Sequence, residues 1–87
     1  MVTVYIIESI QNGTRYVGIT NNLGRRLRDH RSGKTKGGQL LGTFELLYKE
    51  EYSDYPTARE REKYLKTGAG RRWLERTFPR TRPAKGG

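Results

Sequence analysis

Thr3 to Glu8 reads TVYIIE and Arg15 to Thr20 reads RYVGIT, two runs rich in β-branched and aromatic residues. Between them stands Asn12-Gly13, a dipeptide suited to the left-handed backbone of a two-residue turn, so the pattern predicts a β-hairpin. With Asn12 and Gly13 as the central turn residues, Glu8 faces Val17 and Ser9 faces Tyr16. Val4, Ile6, Val17 and Ile19 then share an aliphatic face. Tyr5, Ser9, Tyr16, Gly18 and Thr20 share the other, interrupted by Ile7 and otherwise suited to polar work.

Beyond the hairpin, Thr20, Asn21 and Asn22 are natural N-caps. Leu23 and Leu27, four apart, predict a helix that ends near Ser32-Gly33. GKTKGGQLLG, residues 33 to 42, reads as a basic, glycine-rich loop, and the aromatic and aliphatic run from Thr43 to Tyr52 as a third strand. Ser53, Asp54 and Pro56 suit the start of a second helix that runs through TAREREKYLK to Gly68. Gly70 to Phe78 reads as a short third helix packed through Trp73, Leu74 and Phe78. The expected division is a folded domain over residues 1–78 and a flexible basic tail over residues 79–87.

At 87 residues there is room for one small core, so few apolar positions are spare. The absence of cysteine excludes disulfides and thiolate metal sites and fits a reducing, cytoplasmic home. A single histidine cannot build a zinc cage. No apolar run approaches the ~20 residues that span a bilayer, and MVTVYII lacks the basic leader of a signal peptide, so no membrane association is expected. Charge changes the picture most. Lys and Arg number 18 against 9 Asp and Glu, giving a net charge of +9, which points to a polyanionic partner and foremost to nucleic acid.

Three groups of residues could carry chemistry. Ala58, Glu62 and Leu65 fall at spacings of four and three, which places a carboxylate on the inward stripe of its helix. It either pairs with Lys66 one turn later or serves as ligand to a hard divalent ion bridged to a phosphate. Arg26 and His30, four apart, project from one side of the first helix. They belong either to a solvated basic face with Arg25, Arg28 and Arg31, or to a site where a guanidinium clamps phosphate and an imidazole moves a proton. Tyr5 and Tyr16 are either ordinary strand tyrosines or phenols that orient a water, Gly18 leaving room for close approach. Lys34, Lys36, Arg71 and Arg72 join Arg25, Arg28 and Arg31 as candidate phosphate contacts.

Taken in order, these residues resemble the GIY-YIG nuclease superfamily, most nearly its small stand-alone bacterial and phage members. Thr3-Val4-Tyr5 stands for the first motif and Tyr16-Val17-Gly18 for the second; TNNLGRRLRDH carries Arg26 and His30, and AREREKYLK carries Glu62. The likeness spans about residues 3 to 68. It implies an α+β fold, a central three-stranded antiparallel sheet flanked by helices in the order β-β-α-β-α-α, in agreement with the pattern above. It also implies metal-dependent endonucleolytic cleavage of DNA in repair, recombination or mobile-element processing. Carried over residue by residue, Glu62 would hold one Mg²⁺ or Mn²⁺, and Arg26 would bind the scissile phosphate. Tyr5 and Tyr16 would position or activate the attacking water, and His30 matches a histidine of some branches.

The sequence departs from the family pattern in three places. Thr3 and Val4 replace the first motif's glycine and isoleucine, Ile19 stands where some members carry a base, and no asparagine occurs near Leu74. Branched or damaged DNA is the expected partner, read by shape because so small a domain has little surface for bases, with a targeting protein or a weak dimer as aids. Two rivals are an inactive nucleic-acid-binding module of the same fold and a basic RNA-binding protein; neither gives Glu62 a reason to stand on an inward stripe.

Overall fold

Strand β1 (Val2–Ser9) is the middle strand of a three-stranded antiparallel sheet, between β2 (Arg15–Thr20) and β3 (Phe44–Tyr52), in the order β2-β1-β3. The computed structural model describes residues 1–80, and the remaining elements are α1 (Leu23–Arg31), α2 (Lys36–Leu41), α3 (Tyr55–Leu65) and α4 (Gly68–Thr77). Each helix starts on a side-chain cap: Asn22, Thr35, Asp54 and Thr67 accept from the backbone N–H of Arg25, Gly38, Thr57 and Gly70. The α+β architecture is the expected one, with α2 as an added element.

β1 is buried on both faces, which divides the core in two. Val4, Ile6 and Val17 pack against Ala58 and Leu65 of α3 and Leu74 of α4. On the reverse face Tyr5 and Ile7 pack with Leu27 of α1, Leu41 of α2 and Phe44. The face expected to be polar is thus a second core, roofed by α1 and α2. Buried Glu8 and Arg15 form an ion pair of 2.8 Å, and Arg15 also donates to the carbonyls of Leu74 and Phe78, tying the hairpin to the end of α4. Among the described residues no helix is long and apolar enough to cross a membrane.

The hairpin register differs from expectation. Glu8 faces Arg15, Ile7 faces Tyr16 and Tyr5 faces Gly18. Within the turn only Gly13, at φ 76°, has a left-handed backbone, and among the described residues no non-glycine residue does, so Asn12 does not take its part in a two-residue turn. Instead Asn12 Oδ1 accepts from its neighbour Thr14 N at 2.9 Å, Ser9 Oγ accepts from the N–H of Gln11 and Asn12, and Ser9 N–H bonds Thr14 O at 2.8 Å. The slip is even, so the two faces keep their expected members.

The second difference is α2, which lies in the stretch read as a loop. Gly37 and Gly38 are buried, and a Cβ on Gly38 would stand 2.0 Å from the His30 carbonyl oxygen. These glycines allow α2 to lie directly on α1, and they are not signs of mobility. At the other end, Arg80 donates to Glu75 at 2.7 Å and to the Gly13 carbonyl, and the rest of the expected tail lies outside the described residues.

A methyl group at position 38 must therefore push two backbones apart. Gly38→Ala is expected to cost about 1–3 kcal/mol of stability. Gly24→Ala, whose nearest neighbour at 3.8 Å is the flexible Arg28 guanidinium, should stabilise by ~0.5–1 kcal/mol. Urea unfolding of both variants checks the contrast; equal shifts would mean that the helix contact tolerates a side chain.

Candidate active site

His30 is where the predicted residues converge. Leu27 anchors α1, and His30, one turn onward, enters the core at 1% exposure. Its Nε2 is 2.7 Å from the Tyr5 hydroxyl and its Nδ1 bonds Thr35 Oγ1, so both ring nitrogens are partnered. The rings of Tyr5, Tyr16 and Phe44 surround it at centroid distances of 5.7, 5.4 and 6.0 Å. Two glycines make the enclosure possible. A Cβ on Gly18 would stand 2.3 Å from the Tyr5 ring, and one on Gly37 would stand 3.0 Å from His30 Cε1. His30 is thus a buried, fully bonded imidazole, and not part of a solvated basic face.

Arg26 stands one turn before His30 and is half-buried. Its guanidinium lies beside the Tyr5 hydroxyl, which holds it further above its usual range. Its Nε is buried and has no hydrogen-bond partner among the described residues. Burial pushes the Tyr5 phenol up against the pull of Arg26, and the charges of Tyr16 and Glu62 push it higher. Burial, and then the Arg26 charge, hold His30 below its ordinary 6.5 against a smaller opposing effect of Asp29, so the imidazole is neutral at pH 7.

Glu62 stands on α3, which packs on the opposite face of the sheet, and its charge is felt at the Tyr5 phenol. Ala58, Glu62 and Leu65 are all buried, as the stripe predicts, and Glu62 is 4% exposed. Its Oε1 accepts from Arg59 at 2.9 Å and its Oε2 from Lys66 at 3.0 Å, while both cationic side chains are 49% exposed. The predicted Lys66 pairing is present, and the carboxylate is buried as well. Among the described residues no group of three His, Cys, Asp or Glu side chains could hold a metal ion together.

Of the candidate phosphate contacts, Arg25, Arg28, Arg31, Lys34 and Lys36 are exposed on and between α1 and α2. Arg71 and Arg72 are exposed on α4, across the sheet, so the expected contacts form two separate groups. Sequence reasoning missed Thr35 and Arg59. Thr35 was legible as an N-cap three residues before Gly38, and Arg59 as a cation three residues before Glu62.

The family model described as the GIY-YIG catalytic domain matches residues 1–74. Among solved structures, that of a UPF0213 protein from Bacillus halodurans is 28% identical with a TM-score of 0.54, the match covering 90% of this chain and 86% of that one. No curated protein matches the chain.

The depressed His30 has a measurable consequence for stability. The unfolded chain takes up a proton as pH falls through about 6.5, whereas folded His30 resists until lower pH. In that window the unfolded state binds more protons, so stability is full above pH 6.5 and is lost as pH falls through the folded value. As the chain has one histidine, the fall in urea midpoint between pH 7.5 and 5.5 should be smaller in His30→Gln than in the wild type. Parallel pH profiles for the two would contradict the assignment.

Proposed function

We propose that the chain, which belongs to the GIY-YIG family, hydrolyses DNA phosphodiester bonds as a divalent-metal-dependent endonuclease. One observation carries this reading: a buried guanidinium Nε without an acceptor, on the residue that flanks a phenol bonded to a neutral imidazole. A buried donor left unpaired is costly, and a phosphate oxygen is the acceptor that a guanidinium fits best.

The chemistry assigned to these residues follows from their positions. Tyr16 and Arg26, half-buried, are the parts of the site that an incoming phosphate meets, and Tyr5 is enclosed beside them. Arg26 binds the scissile phosphate and opposes the charge that grows on it as the nucleophile adds. Tyr16 and Tyr5 orient the attacking water. In the tautomer that carries its proton on Nδ1 toward the Thr35 hydroxyl, His30 Nε2 accepts the phenol's proton as Tyr5 takes one from the water. Thr35 also caps α2, so the helix that roofs the site holds the tautomer.

Glu62 is the residue that would hold Mg²⁺ or Mn²⁺. A carboxylate with no neighbouring acidic ligands suits a hard cation that keeps most of its water and takes its other oxygens from phosphate. Its present partners, Arg59 and Lys66, have half-exposed side chains that can turn to the same phosphates. The bound cation would polarise the phosphoryl group and stabilise the leaving oxygen.

Nicking of supercoiled DNA tests the reading, with Mg²⁺, Mn²⁺ or EDTA. Activity is expected with either metal and absent in EDTA. Arg26→Ala should cost about 10²–10³ in kcat, the scale of one lost transition-state donor, and Glu62→Ala should abolish metal-dependent cutting. Full activity in either variant would remove that residue from the site. Salt-sensitive DNA binding with no cutting under any condition would make the chain a binding module.

A further inference from the structure

Glu62 is closed off by its own helix. Each carboxylate oxygen is engaged, Oε1 by Arg59 one turn before it and Oε2 by Lys66 one turn after. An ordinary surface pair is exposed on both sides, as Lys49 and Glu51 are at 50% and 47%, and contributes little. Around Glu62 the exposure is lopsided. The acid side chain is 6% exposed, whereas both cations reach it from solvent at 49%.

Two cations against one carboxylate leave the cluster with excess positive charge. A divalent cation that approaches it meets repulsion and finds both oxygens engaged. Among the described residues no group of three His, Cys, Asp or Glu side chains offsets that charge. A metal can therefore take Glu62 only as Arg59 or Lys66 leaves, and a departing cation needs another anion. Glu50, which α3 also contacts, already has both oxygens on Arg61. Phosphate oxygens supply the missing partner. Arg59 and Lys66 are long, half in water and close to the helix surface, so they can swing to a nucleic-acid backbone while α3 stays in place.

We propose that Arg59 and Lys66 are positioning residues that close Glu62 to metal in the free protein and open it when DNA phosphates draw them away. The protein then takes up its metal on DNA and not before it. The proposal rests on the hydrolytic reading above for Glu62 as the metal ligand. It makes the two ligands reciprocal: DNA raises the affinity for metal, and metal raises the affinity for DNA by the same factor.

The test is Mn²⁺ binding, followed by loss of the free ion's electron paramagnetic resonance signal, with and without a phosphorothioate duplex that resists cutting. The same titration with Glu62→Gln subtracts metal held elsewhere. The duplex should tighten the Glu62-dependent site of the wild type about 5- to 150-fold, the usual range of coupling between two ligands. Without DNA, Lys66→Met and Arg59→Met should each bind Mn²⁺ at least about fivefold more tightly than wild type, and Lys66→Arg should match wild type. Each single variant leaves Glu62 one cationic partner, and urea midpoints check that it is folded. Equal Mn²⁺ affinity in the wild type and both Met variants, or no gain on DNA, would overturn the proposal even if the protein nicks plasmid DNA well. Equal binding by Glu62→Gln and wild type on DNA would remove Glu62 as the ligand, and the hydrolytic reading would fall with the proposal.

Discussion

The hydrogen bond between the Tyr5 hydroxyl and His30 Nε2 dictates much of the rest of the molecule. Two polar side chains at 0% and 1% exposure occupy the centre of a core that has few residues to spend. Buried polar groups are tolerable only when each is bonded, and the pair meets that condition through Thr35 on the far side of the imidazole. Thr35 can reach only because α2 lies against α1, and α2 can lie there only because residue 38 has no side chain. Gly18 does the same for Tyr5 from the neighbouring strand. One polar contact thus explains two glycine positions, a helix cap and the packing of two helices.

Charge is distributed by the same economy. Three of the buried or half-buried acids are spent on particular cations: Glu8 on Arg15, Glu50 on Arg61, and Glu62 on both Arg59 and Lys66. What remains of the net charge of +9 is surplus on α1, α2 and α4, where side chains are exposed and can meet phosphate. Arg26 belongs to neither class. It is half-buried, as Arg15 and Arg61 are, yet its Nε keeps an unspent donor.

The hairpin, α1, β3, α3, α4 and the inward placing of Glu62 were legible because each rests on local signals: β-branched runs, caps, and spacings of three and four. The faces of the sheet were legible even though the register was not, since the turn slipped by an even number. That slip lay in competition within the turn, where Asn12 and Ser9 side chains bond nearby backbone N–H groups in place of a left-handed Asn12. α2 was hidden because Gly37 and Gly38 signal a loop when read locally, while their reason lies across a helix contact: the His30 and Tyr16 rings for Gly37, and the His30 backbone, eight residues back, for Gly38. His30 was hard to read for a related cause. Its neighbours on α1 are arginines, and only the sheet supplies its partners.

A buried carboxylate on α3 still needs something that stops the helix from rotating Glu62 out to water. Ala58 and Leu65 hold one side of the helix in the core, and the adjacent residue Arg61 holds another, about 100° around the axis. Arg61 donates to both oxygens of Glu50 on β3 at 2.9 and 3.1 Å, and its guanidinium lies 4.9 Å from the Trp73 ring centroid. Burial works to raise the Glu50 carboxyl, but Arg61, Tyr48 and Tyr52 hold it below its ordinary value, while Glu50 pushes the Tyr48 phenol up to about 12. Every member of that cluster is bonded, so turning α3 would break a two-pronged ion pair and a cation–π contact together. The clamp lies apart from Tyr5, Arg26 and His30, and it fixes the rotation of the helix that holds Glu62 in the core.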